Sequence, residues 1–273
     1  MTLKHAFLIL LVITILTTGI FLPYIHGDYD YFAEGISTAI QSAAFASLLL
    51  VPTGLVWFTL NLLKNRNPQN PGHESRFMKF VIAGLVVVVS AASLGAFASH
   101  NRFSAIIIFI VGIFLVIAIG KKMTNLTAAP YYLILIPLAV IFIRTLFLES
   151  AKNKSTDFVI QQSQQLIEDI ELYKNANGHY PISLQSTIED YKTNVSGIDR
   201  FHYEKKGDAY NLYFRQFSNM PGTEEIVMYN KLDEHEMTVH NQDLLRVPDN
   251  QIIRGYHQVA TLPQHHWKIF YFD

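Results

Sequence analysis

Imidazole and carboxylate side chains are the ones that most readily hold a metal or move a proton near neutral pH. Both gather in the C-terminal part of this chain. Seven histidines fall there (His179, His202, His235, His240, His257, His265 and His266), and Asp233-Glu234-His235-Glu236 sets acids beside one of them. Their spacing argues against a shared centre. His257, His265 and His266 keep no helical period, and adjacent histidines on a strand point to opposite faces, so His265 and His266 do not converge on one ion. The acid-rich tetrad reads as the solvated tip of a hairpin. Serine, histidine and aspartate are all present, but no nucleophile elbow, His-Glu-x-x-His pair or phosphate-cradling glycine loop singles out a reactive group. The absence of cysteine excludes thiol catalysis, disulfides and thiolate-bound metals. No catalytic residue, cofactor or metal ligand is therefore assigned, and the histidines are expected at a solvated surface.

The elements that carry these residues belong to two different solvents. Of the 273 residues 50% are hydrophobic, yet only nine of the 21 basic and four of the 22 acidic residues precede Glu149. The two parts carry formal charges of +5 and −6. A bilayer core of about 30 Å takes roughly 20 apolar residues of helix. Residues 6–24, 39–63, 80–99, 103–120 and 129–148 meet that demand, which predicts an α-helical membrane bundle of five transmembrane helices over residues 1–149. The first is expected to remain as an uncleaved span, because no small-x-small site follows near Tyr24.

Basic residues are retained on the cytoplasmic side of short loops. Lys4, then Lys64, Arg66, Arg76 and Lys79, then Lys121 and Lys122 fall on one side of the spans; Asp28, Asp30, Glu34 and a lone Arg102 fall on the other. The expected location is a cell inner (plasma) membrane, with the N-terminus cytoplasmic and residues 150–273 extracytoplasmic. Arg144, about one turn from the end of the fifth span, is read as a membrane anchor that snorkels its charge to the headgroups. Thr14, Thr17, Thr18, Gln41, Ser42, Asn61, Ser90 and Ser93 are the polar residues within the spans. Pro52-Thr53-Gly54 and Pro137 could break their helices, as in transporters. Gly84, Ser90, Ala91, Ala92, Gly95 and Ala98 would let a neighbouring helix pack closely. Residues 65–75, rich in Asn, Pro and Gly, read as a cytoplasmic loop.

Beyond residue 152 an apolar stripe at three-to-four spacing, Val159, Ile160, Leu166, Ile167, Ile170 and Tyr173, predicts that the fifth span continues as an amphipathic helix ending near Asn175. Asn177-Gly178 stops it. The period then changes to two. Strands are predicted at 201–204 and 210–214 around Lys205-Lys206-Gly207-Asp208, at 226–229 and 237–239 around an acidic loop, and at 267–272. Residues 241–263 read as a long loop. A helix followed by an antiparallel sheet predicts an α+β domain at 150–273 with the helix packed on the sheet. Asn153-Lys154-Ser155 and Asn194-Val195-Ser196 match the glycosylation acceptor pattern.

The run Leu166-Ile-Glu-Asp-Ile-Glu-Leu-Tyr173, followed by Asn177-Gly178-His179-Tyr180-Pro181, resembles the extracytoplasmic part of the type II secretion major pseudopilins. The similarity covers about residues 155–184, with an echo in Tyr203-Glu-Lys-Lys-Gly-Asp-Ala-Tyr210-Asn-Leu-Tyr213. It implies a pilin-like fold, with Tyr173, Asn177, Gly178, Tyr180 and Pro181 in a structural role. The processed Phe-Thr-Leu-Ile-Glu type segment, the Asp-Pro-Trp-Gly passage and a calcium loop are not matched, so neither polymerisation nor calcium is carried over. The expected function is a non-catalytic recognition or scaffold domain displayed outside the cytoplasm, in contact with membrane lipid and with an envelope protein through the sheet edges or the 241–263 loop. A net −6 there argues against nucleic acid. The alternative is a small transporter or channel subunit capped by that domain, and an extracytoplasmic enzyme using His257, His265 or His266 is a third reading.

Overall fold

The computed structural model describes residues 2–64, 74–98, 102–123, 128–184, 191–218, 223–235 and 256–272. The chain forms two compact units: Met1–Leu22 with Tyr31–Ala151, and Pro23–Asp30 with Lys152–Asp273.

The first unit is helical. Helix α1 (Leu3–Phe21) runs into a 3-10 turn at Leu22–Tyr24, and is followed by α2 (Ala33–Ser47), α3 (Leu50–Lys64), α4 (Glu74–Ala98), α5 (Arg102–Met123) and the start of α6 (Ala129–Asn177). Among the described residues three helices are long and apolar enough to cross a membrane, over Leu3–Tyr24, Phe80–Ala98 and within α6. Helices α2 and α3 pass the same test only as a pair bent by 46°, and α5 contributes a shorter apolar stretch, Arg102–Ala118.

The expected single helix over 39–63 is therefore interrupted, but not at Pro52-Thr53-Gly54. The break lies at Leu48 and Leu49, where Leu48 N–H donates to Phe45 O and Leu49 N–H to Ala46 O, each at 3.2 Å. Pro52 sits in the first turn of α3, where its missing N–H leaves no bond unmade; extending α2 through it would drive its ring against the carbonyl of Leu48. Pro137 lies inside α6, which continues past it.

Small residues bring these helices together. Ala92 and Ala96 of α4 are buried with Ala39 of α2 and Ala105 of α5. A Cβ at Gly95 would meet the side chain of Ser42 and stand 2.8 Å from Thr38 O, and one at Gly112 would stand 2.5 Å from Val89 Cγ1. Ser93 Oγ donates to Ala105 O at 2.8 Å, an interhelical bond in apolar surroundings. Large side chains such as Leu94, Phe97, Phe114 and Phe142 point outward and are exposed.

In the second unit the expected helix-on-sheet arrangement is present. Val159, Ile160, Leu166 and Ile170 of α6 recur at helical spacing and are buried against Tyr210, Leu212, Phe214, Val227, Tyr229, Trp267 and Ile269. Burial of each such side chain contributes roughly 1.5–3 kcal/mol. The sheet is antiparallel, in the order β1 (His202–Lys206), β2 (Ala209–Gln216), β3 (Glu224–Asn230), β5 (Trp267–Phe272), β4 (Tyr256–Thr261). Gly207, at φ 54°, opens the two-residue turn between β1 and β2.

Two strand expectations are corrected, and a third falls in part outside the described residues. Ile226–Tyr229 pairs with β2 on one side and β5 on the other, and residues 237–239, expected as its hairpin partner, lie outside the described residues. The supposed loop 241–263 contains strand β4, while 241–255 lies outside the described residues, as do His240, Glu236 and residues 65–73 of the expected loop 65–75. His265 and His266 sit in the β4–β5 turn rather than on a strand. The far face of the sheet is apolar too, with Ile226, Met228, Phe270 and Phe272 buried together. Strands buried on both faces lose the alternation that marks a half-exposed sheet, which is why the sequence registers them poorly.

Candidate functional site

The Asn-Gly-His-Tyr-Pro passage closes α6 and folds the chain back. Gly178, at φ 75°, takes the left-handed conformation that ends a helix, and its N–H donates to Lys174 O at 2.8 Å. Asn177 Nδ2 donates to Tyr173 O at 2.9 Å, and the Tyr173 ring meets His179 edge-on. Tyr180 is buried, with its hydroxyl donating to Glu171 Oε1 at 3.2 Å and the Lys174 ammonium 4.1 Å above its ring. Pro181 O accepts a bond from Tyr203 Oη at 2.8 Å. Glu171 is the hub: Tyr210 Oη is 3.5 Å from Oε1, and Lys231 Nζ donates to Oε2 at 2.8 Å.

Burial, reinforced by Tyr180 and Glu171, pushes the Tyr203 phenol up to about 12, and burial raises Tyr210 and Tyr229 as well. The hydrogen bond to Glu171 raises Lys231. These phenols stay protonated, Tyr203 donating to Pro181 O and Tyr210 to Glu171, which makes the cluster a structural lock between α6, the turn after it and the sheet.

A second network is wholly buried. Lys152 Nζ lies 3.3 Å from both carboxylate oxygens of Glu225, Gln216 Nε2 donates to Glu225 Oε2 at 2.7 Å, and Thr156 Oγ1 donates to Gln216 Oε1 at 2.6 Å. Neither charge is more than 7% exposed, so each is held in place by the other.

In the first unit, Arg144 Nε donates to Gln41 Oε1 at 2.7 Å, and its guanidinium carbon is 5.0 Å from the centre of the Phe45 ring. Gln41 Nε2 donates to Ser37 Oγ at 3.1 Å, and Ser37 Oγ donates to Ile20 O at 2.6 Å. The residue expected as an anchor thus heads a hydrogen-bond chain linking α6, α2 and α1. Thr14 and Thr17 bond back to the carbonyls of their own helix, as polar side chains in apolar surroundings do.

Among the described histidines, His179 and His202 lie apart from His235, His265 and His266, which are neighbours. His202 stacks on Tyr213, and burial together with Arg200 and Arg215 lowers its pKa. His235 Nε2 donates to His266 O at 2.9 Å, and burial is the main cause lowering its pKa. His266 Nδ1 lies 3.1 Å from Asp233 Oδ2. Asn230 organises the acidic loop, its Oδ1 accepting from Leu232 N–H and Glu234 N–H at 3.0 and 3.2 Å. Among the described residues no group of three or more His, Asp or Glu is arranged to hold a metal ion.

A concave feature of the second unit lies elsewhere, and sequence reasoning missed it. The connection Pro23–Asp30 is sewn onto residues 193–198. Gly197 N–H donates to Pro23 O, Ser196 N–H to Ile25 O, Gly27 N–H to Asn194 O and Asp30 N–H to Ser196 O, all at 2.9–3.0 Å. His26 stacks on Phe158 at 3.9 Å, and a Cβ at Gly197 would stand 2.5 Å from Pro23 O, so only glycine permits this approach. Beside the seam is a cavity of about 380 Å³ bordered by Asp28, Tyr29, Tyr191, Lys192, Thr193, Asn194, Asp199 and Arg200. Lys192 Nζ lies 3.4 Å from Asp28 Oδ1, Arg200 Nε lies 3.5 Å from Asp199 Oδ2, and Tyr191 Oη donates to Asp169. The signals in the sequence are faint: an acidic stretch after α1, and a glycine between Ser196 and Ile198. The chain matches no family model, and no curated protein or solved structure is significantly similar to it.

Proposed function

We propose that the protein is a multi-pass membrane protein of the cell envelope whose α+β unit, pilin-like in its helix-on-sheet arrangement, serves recognition or scaffolding outside the cytoplasm without catalysing a reaction. The observation that carries this reading is the membership of Pro23–Asp30 in the same compact unit as Lys152–Asp273. Segments that share a folded unit lie on one side of a membrane, so the chain between them crosses an even number of times. The bent α2–α3 pair, α4, α5 and α6 supply four crossings, and α1 makes five. The basic residues around Lys64 and Lys121 and the acids at Asp28 and Asp30 support a cytoplasmic N-terminus.

The chain has no native cysteine, so single cysteines introduced at Lys4, Asp28 and Lys154 can be probed with a membrane-impermeant maleimide on intact cells. Labelling at Asp28 and Lys154, with Lys4 reacting only after lysis, is the expected pattern. Labelling at only one of Asp28 and Lys154 would defeat the reading.

The transporter alternative draws on two features of the first unit: the 46° bend between α2 and α3, and the polar chain from Arg144 through Gln41 and Ser37. Solute flux in liposomes that Gln41→Leu abolishes would favour it.

A further inference from the structure

The cavity beside the seam has features of a ligand site that the recognition reading does not use. Two basic side chains, Lys192 and Arg200, and two acidic ones, Asp28 and Asp199, border it together with the phenols of Tyr29 and Tyr191. Its formal charge is balanced, so a ligand carrying one anionic and one cationic group fits it better than a simple anion or cation. Arginine and lysine suit a phosphate, and carboxylates flanked by aromatic rings suit an ammonium.

Location narrows the source of such a ligand. Asp28 follows the apolar stretch Leu3–Tyr24 by four residues, and Tyr29 precedes α2 at Ala33 by four. An extended tether of that length reaches at most about 14 Å, which keeps Asp28 and Tyr29 within reach of a headgroup layer about 5–8 Å deep. Ile25 and Tyr29 of the connection and Tyr31 and Phe32 just after it are exposed, the kind of aromatic-rich segment that settles at the boundary between lipid and water.

The ion pairs already present do not block the site. Lys192 and Asp28 are 61% and 84% exposed in their side chains, and Arg200 and Asp199 are 70% and 57%. Exposed pairs of this kind contribute little and give up their partners readily. Tyr191 is held by its bond to Asp169, which fixes one wall.

We propose that this cavity binds the headgroup of an ethanolamine phospholipid, with the phosphate at Lys192 and Arg200 and the ammonium at Asp28 and Asp199 between the rings of Tyr29 and Tyr191. The inference rests on α1 and α2 lying in a membrane.

The test uses the full chain in nanodiscs of phosphatidylcholine, doped in separate arms with phosphatidylethanolamine or phosphatidylglycerol. Retained lipid is counted by native mass spectrometry, and soluble phosphoethanolamine and inorganic phosphate are offered as competitors. The expected result is preferential retention of phosphatidylethanolamine. Lys192→Gln with Arg200→Gln should weaken it roughly fivefold per charge removed. Asp28→Asn with Asp199→Asn should abolish the preference over phosphatidylglycerol, and because both carboxylates are exposed this variant keeps its fold. Equal retention of all three headgroups, or unchanged preference in both variants, overturns the proposal. So does displacement by soluble phosphoethanolamine at concentrations matching the lipid, which would assign the cavity to a soluble ligand. A chain that fails to enter nanodiscs defeats the membrane reading instead, so the two failures are distinguishable.

Discussion

Among single residues, Lys152 and Glu225 have the most at stake. Two charges removed from water are tolerable only while each neutralises the other, so losing one partner costs more than the pair contributes. Lys152→Met is expected to destabilise the second unit by about 3 kcal/mol, and adding Glu225→Leu should recover most of that loss. Thermal unfolding of the full-length variants measures both, and a single variant as stable as the parent would contradict the account. His202 and His235 act through protons. Burial holds both pKa values below the ordinary 6.5, so the unfolded chain binds more protons once the pH falls beneath that value. Stability is therefore full above about pH 6.5 and declines as the pH drops toward the folded-state values. His202→Gln should flatten the acid limb of a plot of Tm against pH, and a Tm that rises on acidification would refute the assignment.

At the scale of elements, glycine positions set how closely segments approach. Gly95→Val would push a side chain into Ser42 and the backbone of Thr38, and should separate α4 from α2 at a cost of about 1–3 kcal/mol. Gly197→Ala should loosen the seam by a similar amount and accelerate hydrogen exchange at Ser196, Gly27 and Asp30 while leaving Leu212 and Val227 protected. Uniform exchange across both sets would mean that the seam is not a separate element. The contrast between these two glycines shows what was legible in the sequence. Gly95 sits in a row of small residues at helical spacing, a local pattern that already predicts close packing. Gly197 meets Pro23, whose position in the chain is remote, and no periodicity encodes such a partner. The long amphipathic helix, its Gly178 stop and the β1–β2 hairpin were readable for the same local reason. Strand β4 and the double pairing of β3 were not, because which strands neighbour one another is decided by the assembled sheet. The cavity was hidden with them, since its two walls come from segments on either side of that distant contact.

At the scale of the whole chain, residues 23–30 join the second unit although α2 to α5 and the first part of α6 separate them from the rest of it. A chain ending after Glu149 keeps the first unit's helices but leaves those residues without their hydrogen-bond partners. It is expected to insert into membranes and to lose any envelope protein captured by the full chain. Pull-down from native membranes compares the two, and a partner retained by the shortened chain would move recognition to the helical bundle. The seam also imposes an order in time. Pro23 leaves the ribosome about 170 residues before Gly197, so at roughly 5–20 residues per second it waits on the order of ten to thirty seconds for its partner. During that interval Ile25, His26 and their neighbours have no native surface to cover, and the seam cannot close until the chain through Gly197 has been synthesised.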